Sequence, residues 1–191
     1  MSKNSSWRFK TTELNGVFLI EPFCANDNRG YFLKDYNENV FKENGIDLIV
    51  KESFYSFSQK NVLRGMHFQR EKQMPKLVRC MSGKILDVVC DLREDSKTFM
   101  KYQKFILSAE NMNELYIPGG FAHGFLAFED SLVSYKCGEC FVSEFDDGII
   151  WNDKTLNIAW DTDGESKIII SEKDKNLQTF KEFREKYGSL K

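Results

Sequence analysis

Apolar residues along this chain fall in short runs separated by polar or glycine-containing turns. Val17–Ile20, Ile49–Phe57, Lys76–Met81, Lys84–Leu92, Tyr102–Leu107, Leu115–Ile117, Gly124–Phe128, Leu132–Lys136 and Lys167–Ile170 all read as strands, several of them rich in Val, Ile and Phe. Ser82-Gly83 reads as a tight hairpin between two of these runs. Many strands at roughly 8- to 12-residue spacing, without helical patterns between them, predict an all-β antiparallel sandwich or barrel rather than a βαβ sheet. Two short helices are expected at the periphery. One covers Glu38–Asn44 and stops at Gly45; the other covers Lys175–Tyr187, with Leu177, Phe180, Phe183 and Tyr187 on one stripe and Gly188 after it. Ser171 and Asp174 stand where a capping box would open the second helix.

Composition narrows the class. Of 191 residues 41% are hydrophobic, with 17 Phe and only 3 Pro, which is enough apolar side chain to offset the entropy of ordering the chain. No linker, repeat or low-complexity tract divides it, so residues 1–191 are expected to form a single domain. A formal net charge of −2 without a basic block gives no footprint for nucleic acid or an anionic membrane surface. The opening MSKNSSWRFK lacks an apolar leader and no stretch is long and apolar enough to span a bilayer, so a cytoplasmic protein is expected. Five cysteines, Cys24, Cys80, Cys90, Cys137 and Cys140, are an odd number that fits reduced thiols better than a disulfide framework. Cys137 and Cys140 form a CxxC, but it flanks Gly138 within a strand-like run and lacks the further ligands that a zinc site requires.

The two histidines of the chain both lie in dense polar contexts. His67 sits in a strand-like segment with Arg64 and Gln69, and in an extended strand His67 and Gln69 share a face with Gly65. His123 follows the glycine-rich turn Pro118-Gly119-Gly120 and stands where a strand would present it at the mouth of a barrel. Each is a candidate for chemistry or for a satisfied core position.

Arg29-Gly30-Tyr31-Phe32, Leu63-Arg64-Gly65-Met66-His67-Phe68-Gln69, Lys76-Leu77-Val78-Arg79, Gly83 to Asp91-Leu92-Arg93, Tyr116-Ile117-Pro118 through Phe121-Ala122-His123-Gly124-Phe125, Tyr135-Lys136 and Ile150-Trp151-Asn152-Asp153 occur in an order and spacing that resembles the RmlC family of sugar-nucleotide epimerases. The resemblance runs from about Val17 to Asp174. It implies a cupin fold, the double-stranded β-helix or jelly-roll barrel. It also implies a cofactor-independent isomerase, without metal, that inverts C3, C5 or both in a nucleoside-diphosphate 4-keto sugar for surface polysaccharide. By the same resemblance His67 is the general base and Asp174 the carboxylate that orients it, Tyr135 the acid on the opposite face, and Lys76 the cation beside the ketone oxygen. Arg64, Gln69 and His123 fall at substrate-binding positions, with Asp87 supporting His123. Arg29, Phe32 and Lys34 fall where the family holds the nucleotide diphosphate and base, commonly across the boundary of a homodimer with exchanged N-terminal strands.

The chemistry needs these residue types. Inverting a carbon beside a carbonyl requires a base, a cation for the enolate oxygen and an acid on the other face. A neutral imidazole is a competent base near pH 7, and a carboxylate on its second nitrogen fixes the tautomer.

Two departures from the family's pattern bear on the substrate. Lys34 stands where a carboxylate is usual, which points away from a thymine contact and toward a GDP-linked sugar, a heptose among the possibilities. Cys140-Phe141 replaces an aromatic pair, so one tyrosine hydroxyl is missing. A metal-dependent cupin would need more histidine ligands than His67 and His123 supply. A 3-epimerase or a 3,4-ketoisomerase on the same substrates stays open, and a non-catalytic sugar-nucleotide-binding protein would be expected to lack the base, the acid or the lysine.

Overall fold

The computed structural model describes residues 6–162 and 167–190. Its strands are β1 (Arg8–Thr11), β2 (Phe18–Glu21), β3 (Phe23–Asp27), β4 (Gly30–Lys34), β5 (Glu52–Ser58), β6 (Leu63–Gln69), β7 (Lys76–Ser82), β8 (Lys84–Asp91), β9 (Tyr102–Ser108), β10 (Glu114–Ile117), β11 (Phe121–Ala127), β12 (Ser131–Cys137) and β13 (Asp146–Gly148). The helices are α1 (Glu38–Glu43), α2 (Glu172–Lys175) and α3 (Phe180–Tyr187). A six-stranded sheet in the order β1-β2-β10-β7-β12-β5 faces a five-stranded sheet in the order β13-β6-β11-β8-β9, and β3–β4 stand apart as a hairpin. Every paired strand runs antiparallel to its neighbour. The expected all-β jelly roll with a few peripheral helices is what the chain forms.

Alternation sorts the side chains into layers. Along β12 every second residue is buried, and Val133, Tyr135 and Cys137 point into the space between the sheets. There they meet Val78 and Cys80 of β7, Leu115 of β10, and Val89, Phe105 and Phe125 of the opposite sheet. The outer face of the five-stranded sheet, with Leu63, Met66, Leu86 and Val88, is covered by Ile149, Leu156, Trp160, Phe180 and Phe183 from the C-terminal part of the chain. The outer face of the six-stranded sheet, with Ile20, Leu77 and Tyr116, is covered by Phe41 of α1 with Ile46 and Leu48. Phe41 is fully buried, and the rings of Trp7, Phe9 and Tyr36 meet it edge-on. Among the described residues no helix is long and apolar enough to cross a membrane.

Three sequence expectations give way to longer-range pairing. Ser82-Gly83 is not a hairpin: β7 pairs with β10 and β12 while β8 pairs with β9 and β11, so the chain steps from one sheet to the other there. Gly83 has φ +78°, and a Cβ on it would lie 2.3 Å from the Asp130 carbonyl oxygen, so the turn signal marks a close crossing. The helix expected over Lys175–Tyr187 starts only at Phe180 as α3, the short α2 ending at Lys175. Thr179 and Glu182 form a full capping box that starts α3, and the Gln178 carbonyl accepts the Ile150 N–H at 2.9 Å, which pins the break to the sheet. The run Lys167–Ile170 yields, among the described residues, only an isolated bridge between Ile169 and Val62, just before β6.

Candidate active site

A cavity of about 540 Å³ opens between the two sheets. Arg64, His67, Gln69, Lys76, His123, Tyr135 and Asp174 line it together, although they come from β6, β7, β11, β12 and α2. Asp87 stands directly behind, on β8.

The wall from the five-stranded sheet carries both histidines side by side, since His67 and His123 are register partners across β6 and β11. Gly65 makes this approach possible: it has φ +121°, and a Cβ there would fall 2.5 Å from the Gly124 Cα. His67 Nε2 lies 3.1 Å from Asp174 Oδ1, and the Gly65 N–H donates to Asp174 Oδ2 at 3.1 Å. Asp174 is itself positioned by its own N–H, which donates to the Ser171 hydroxyl at the start of α2. Burial opposes the charge on Asp174, but the hydrogen bond from His67, the charge of that ring and the Gly65 N–H outweigh it and hold the carboxyl below its ordinary value. In the neutral ring an ionised Asp174 favours the tautomer with its proton on Nε2, which leaves the lone pair on Nδ1, an atom without a hydrogen-bond partner among the described residues. His123 Nε2 pairs with the buried Asp87 Oδ2 at 2.8 Å.

The wall from the six-stranded sheet carries Tyr135 and Lys76. Tyr135 is buried, and that burial, with the charge of Asp87 second, pushes its phenol well above the ordinary tyrosine value and keeps it protonated. Lys76, at the head of β7, makes no ion pair among the described residues; burial pulls its pKa down, and the charges of Asp146 and Asp87 pull it partly back. Phe54 stacks on Tyr135 with ring centroids 4.8 Å apart.

Arg64 is exposed at the rim, where its Nε donates to the Ser58 hydroxyl at 2.9 Å and Nη2 to the Phe57 carbonyl at 3.1 Å. Gln69 lines the cavity, yet its amide is fully occupied by backbone: Nε2 donates to the Lys72 and Cys140 carbonyls and Oε1 accepts the Val142 N–H. It therefore anchors the loop after β12 rather than presenting a free amide. Arg29, Phe32 and Lys34 do not line this cavity. Arg29 is paired with Asp27 at 2.6 Å at the turn of the β3–β4 hairpin, Phe32 is 58% exposed, and Lys34 Nζ sits 5.8 Å from the Phe23 ring centre. Of the CxxC, Cys137 is buried, with its thiol pushed up to about 11 by that burial, while Cys140 is exposed.

Sequence reasoning passed over Glu52, Phe54 and Ser56 of β5, Met74, and the ion pair of Asp146 with Lys173, all of which line the cavity, as does Phe141 of the replaced aromatic pair. The alternation of β5 was visible, but which of its faces turns inward depends on the pairing with β12.

Two facing antiparallel sheets around a polar-ended cavity place the chain in the cupin class. Within that class it belongs to the dTDP-4-dehydrorhamnose 3,5-epimerase family, whose family model matches residues 11–182, and it is therefore an isomerase acting as a carbohydrate epimerase. A curated relative of that name from Methanothermobacter thermautotrophicus is 45% identical over 179 residues, 93% of this chain and 97% of its own. One from Escherichia coli K12 is 41% identical, over 90% of this chain and 93% of its own. Among solved structures, the dTDP-4-dehydrorhamnose 3,5-epimerase of Elizabethkingia anophelis superposes with a TM-score of 0.87 at 40% identity, covering 92% of this chain and 97% of that one. The Legionella pneumophila epimerase, solved in complex with dTDP-4-keto-L-rhamnose, gives a TM-score of 0.87 at 32% identity, over 91% of this chain and 93% of that one.

Proposed function

We propose that this cavity inverts the carbons on either side of the ketone, C3 and C5, in a dTDP-4-keto-6-deoxy sugar. The observation that carries the reading is the placement of His67, paired with Asp174 of α2, on one sheet and of Tyr135 on the other, lining a single cavity with Lys76. His67 takes the C–H proton, the electron pair moves onto the ketone oxygen beside the Lys76 ammonium, and the Tyr135 hydroxyl returns a proton to the carbon from the opposite wall. Imidazolium and phenolate then re-equilibrate with solvent, so no atom or electron is gained or lost. No step needs a metal or an organic cofactor, and dialysis against a strong chelator is expected to leave turnover unchanged.

Arg64, exposed at the rim of the cavity, is our candidate for the diphosphate. The second cation, Arg29, and the base-stacking candidate Phe32 lie on an exposed hairpin outside this chain's cavity, which favours a homodimer in which each N-terminal hairpin serves the other copy's site. Mixing Arg29→Ala with His67→Asn subunits should restore activity that neither has alone. An inactive mixture of exchanged subunits would refute service in trans. The preference for a GDP sugar drawn from Lys34 finds no support in its position over Phe23, and the relatives are named for dTDP sugars.

The deciding experiment offers matched dTDP- and GDP-4-keto sugars in deuterated water and follows exchange by NMR. Deuterium at C3 and C5 of the dTDP sugar is the expected result. Exchange at C3 alone would make the protein a 3-epimerase, and faster turnover of the GDP sugar would overturn the thymidine assignment.

A further inference from the structure

The reaction as described assigns nothing to β5, although β5 forms the edge of the wall that carries the acid. Phe54 stands directly opposite Tyr135 in the β5–β12 register. The two rings are stacked, with centroids 4.8 Å apart and planes 21° from parallel. Phe54 lines the cavity and is 41% exposed. A large apolar ring left so open beside polar groups contributes no hydrogen bond, and its one defined contact of this kind is the phenol ring. From the opposite sheet the His123 ring approaches Tyr135 edge-on, at 6.2 Å and 74°, and His123 is fixed in turn by Asp87. The phenol is thus held between an aromatic face and an aromatic edge. Those contacts leave its hydroxyl end, rather than its face, as the part offered to a ligand.

We propose that Phe54 is a positioning residue for Tyr135: its stack fixes the direction in which the phenol delivers its proton, and so decides whether a carbon deprotonated by His67 is inverted or returned unchanged. This rests on the reading of Tyr135 as the acid. Proton removal belongs to the other sheet and does not depend on Phe54. When the phenol is free to turn away, the carbanion is more often reprotonated on the face it left, by the His67 imidazolium carrying solvent deuterium, and the sugar exchanges without inverting.

The measurable quantity is the ratio of deuterium exchange without inversion to inversion at C3, taken in deuterated water by NMR. Phe54→Leu keeps apolar bulk but loses the stack, and should raise that ratio about tenfold, the scale of one stacked aromatic pair. Phe54→Tyr keeps the stack and should hold the ratio within about twofold of the native value. KM for the sugar nucleotide should change little in either variant. Tyr135→Phe, run in parallel, should raise the ratio further, and adding Phe54→Leu to it should have no additional effect, because Phe54 acts through the hydroxyl that is already gone. An unchanged ratio in Phe54→Leu with a raised KM would make Phe54 a substrate wall only and overturn the proposal while leaving Tyr135 as the acid. An unchanged ratio in Tyr135→Phe would instead remove the acid reading itself, and the role of Phe54 with it.

Discussion

The two sheets that face each other across the cavity treat charge in opposite ways. On the five-stranded sheet each ionisable side chain of the site has a partner at hydrogen-bond distance, His67 with Asp174 and His123 with Asp87. On the six-stranded sheet Tyr135 is buried and Lys76 half-buried, with no ion pair beside them among the described residues. Pairing suits a base, which must accept a positive charge and be supported while it holds it. Exclusion of water suits an acid that has to stay neutral until it is used and a cation whose field must reach the ketone oxygen unscreened. The fold supplies both conditions in one cavity because its two walls are separate sheets, each with its own backing layer.

The strongest test of the paired wall is His67→Asn, which should lower both exchange and epimerisation by at least about 10⁴-fold, the upper end for loss of a general base. Residual exchange near the native rate would show that another group removes the proton. Asp174→Asn comes next, at about 10³- to 10⁴-fold in kcat, because an amide in place of the carboxylate lets the imidazole take the wrong tautomer. This variant also has a stability signature. The folded carboxyl lies below its unfolded value of 3.8, so it contributes stability above that pH and loses the contribution as pH falls through the lower folded value. The gap in stability between native protein and variant should therefore close in strong acid, which denaturant midpoints across pH would reveal.

The water-excluding wall makes a contrasting prediction. Lys76→Met should cost about 10²- to 10³-fold in turnover, the scale of losing one preorganised donor to a developing oxyanion. Yet it should raise the melting temperature, because a half-buried ammonium without an ion pair among the described residues is replaced by an apolar chain of similar length. The pKa of Lys76 is lowered on folding, so the native state binds the proton less well than the unfolded chain does, and the gain should be largest at neutral pH and shrink toward pH 10.5. A variant that is both inactive and less stable would mean that Lys76 has an ionic partner in the native protein.

How legible this was follows from the same contrast. The paired wall is written in local motifs: Arg64 to Gln69 and the glycine-rich approach to His123 announce themselves within a few residues, and the Ser171–Asp174 turn stands out as a helix start. The other wall is not local. Tyr135 and Lys76 were named only through the resemblance, since alternation says which residues share a face but not which face turns inward. Phe54 was missed for that reason, and Ser82-Gly83 was misread because a tight turn and a crossing between sheets need the same glycine. The hairpin with Arg29, Phe32 and Lys34 shows the complementary limit, for its motif is legible while the cavity of this chain does not include it.

The outer face of the six-stranded sheet offers the mildest test of the same rule. Glu114 is fully buried there, across from Arg79 in the β10–β7 register, and neither carboxylate oxygen has a hydrogen-bond partner among the described residues. Burial raises its pKa well above the ordinary value of 4.5, the charge of Asp35 adds to the rise, and Arg79 and Lys136 offset only part of it, Lys136 being already paired with Asp35. The folded protein then keeps a proton that the unfolded chain has released above pH 4.5, so Glu114 makes stability fall as pH rises through that range. Glu114→Gln removes the dependence. At pH 8 it should gain about 1 kcal/mol, or about 2–4 °C in melting temperature for a chain of this size, with no difference near pH 4 and no change in turnover. If Glu114→Gln is instead destabilising at pH 8, Glu114 is ionised against Arg79, and the six-stranded sheet handles this charge by pairing as the other sheet does.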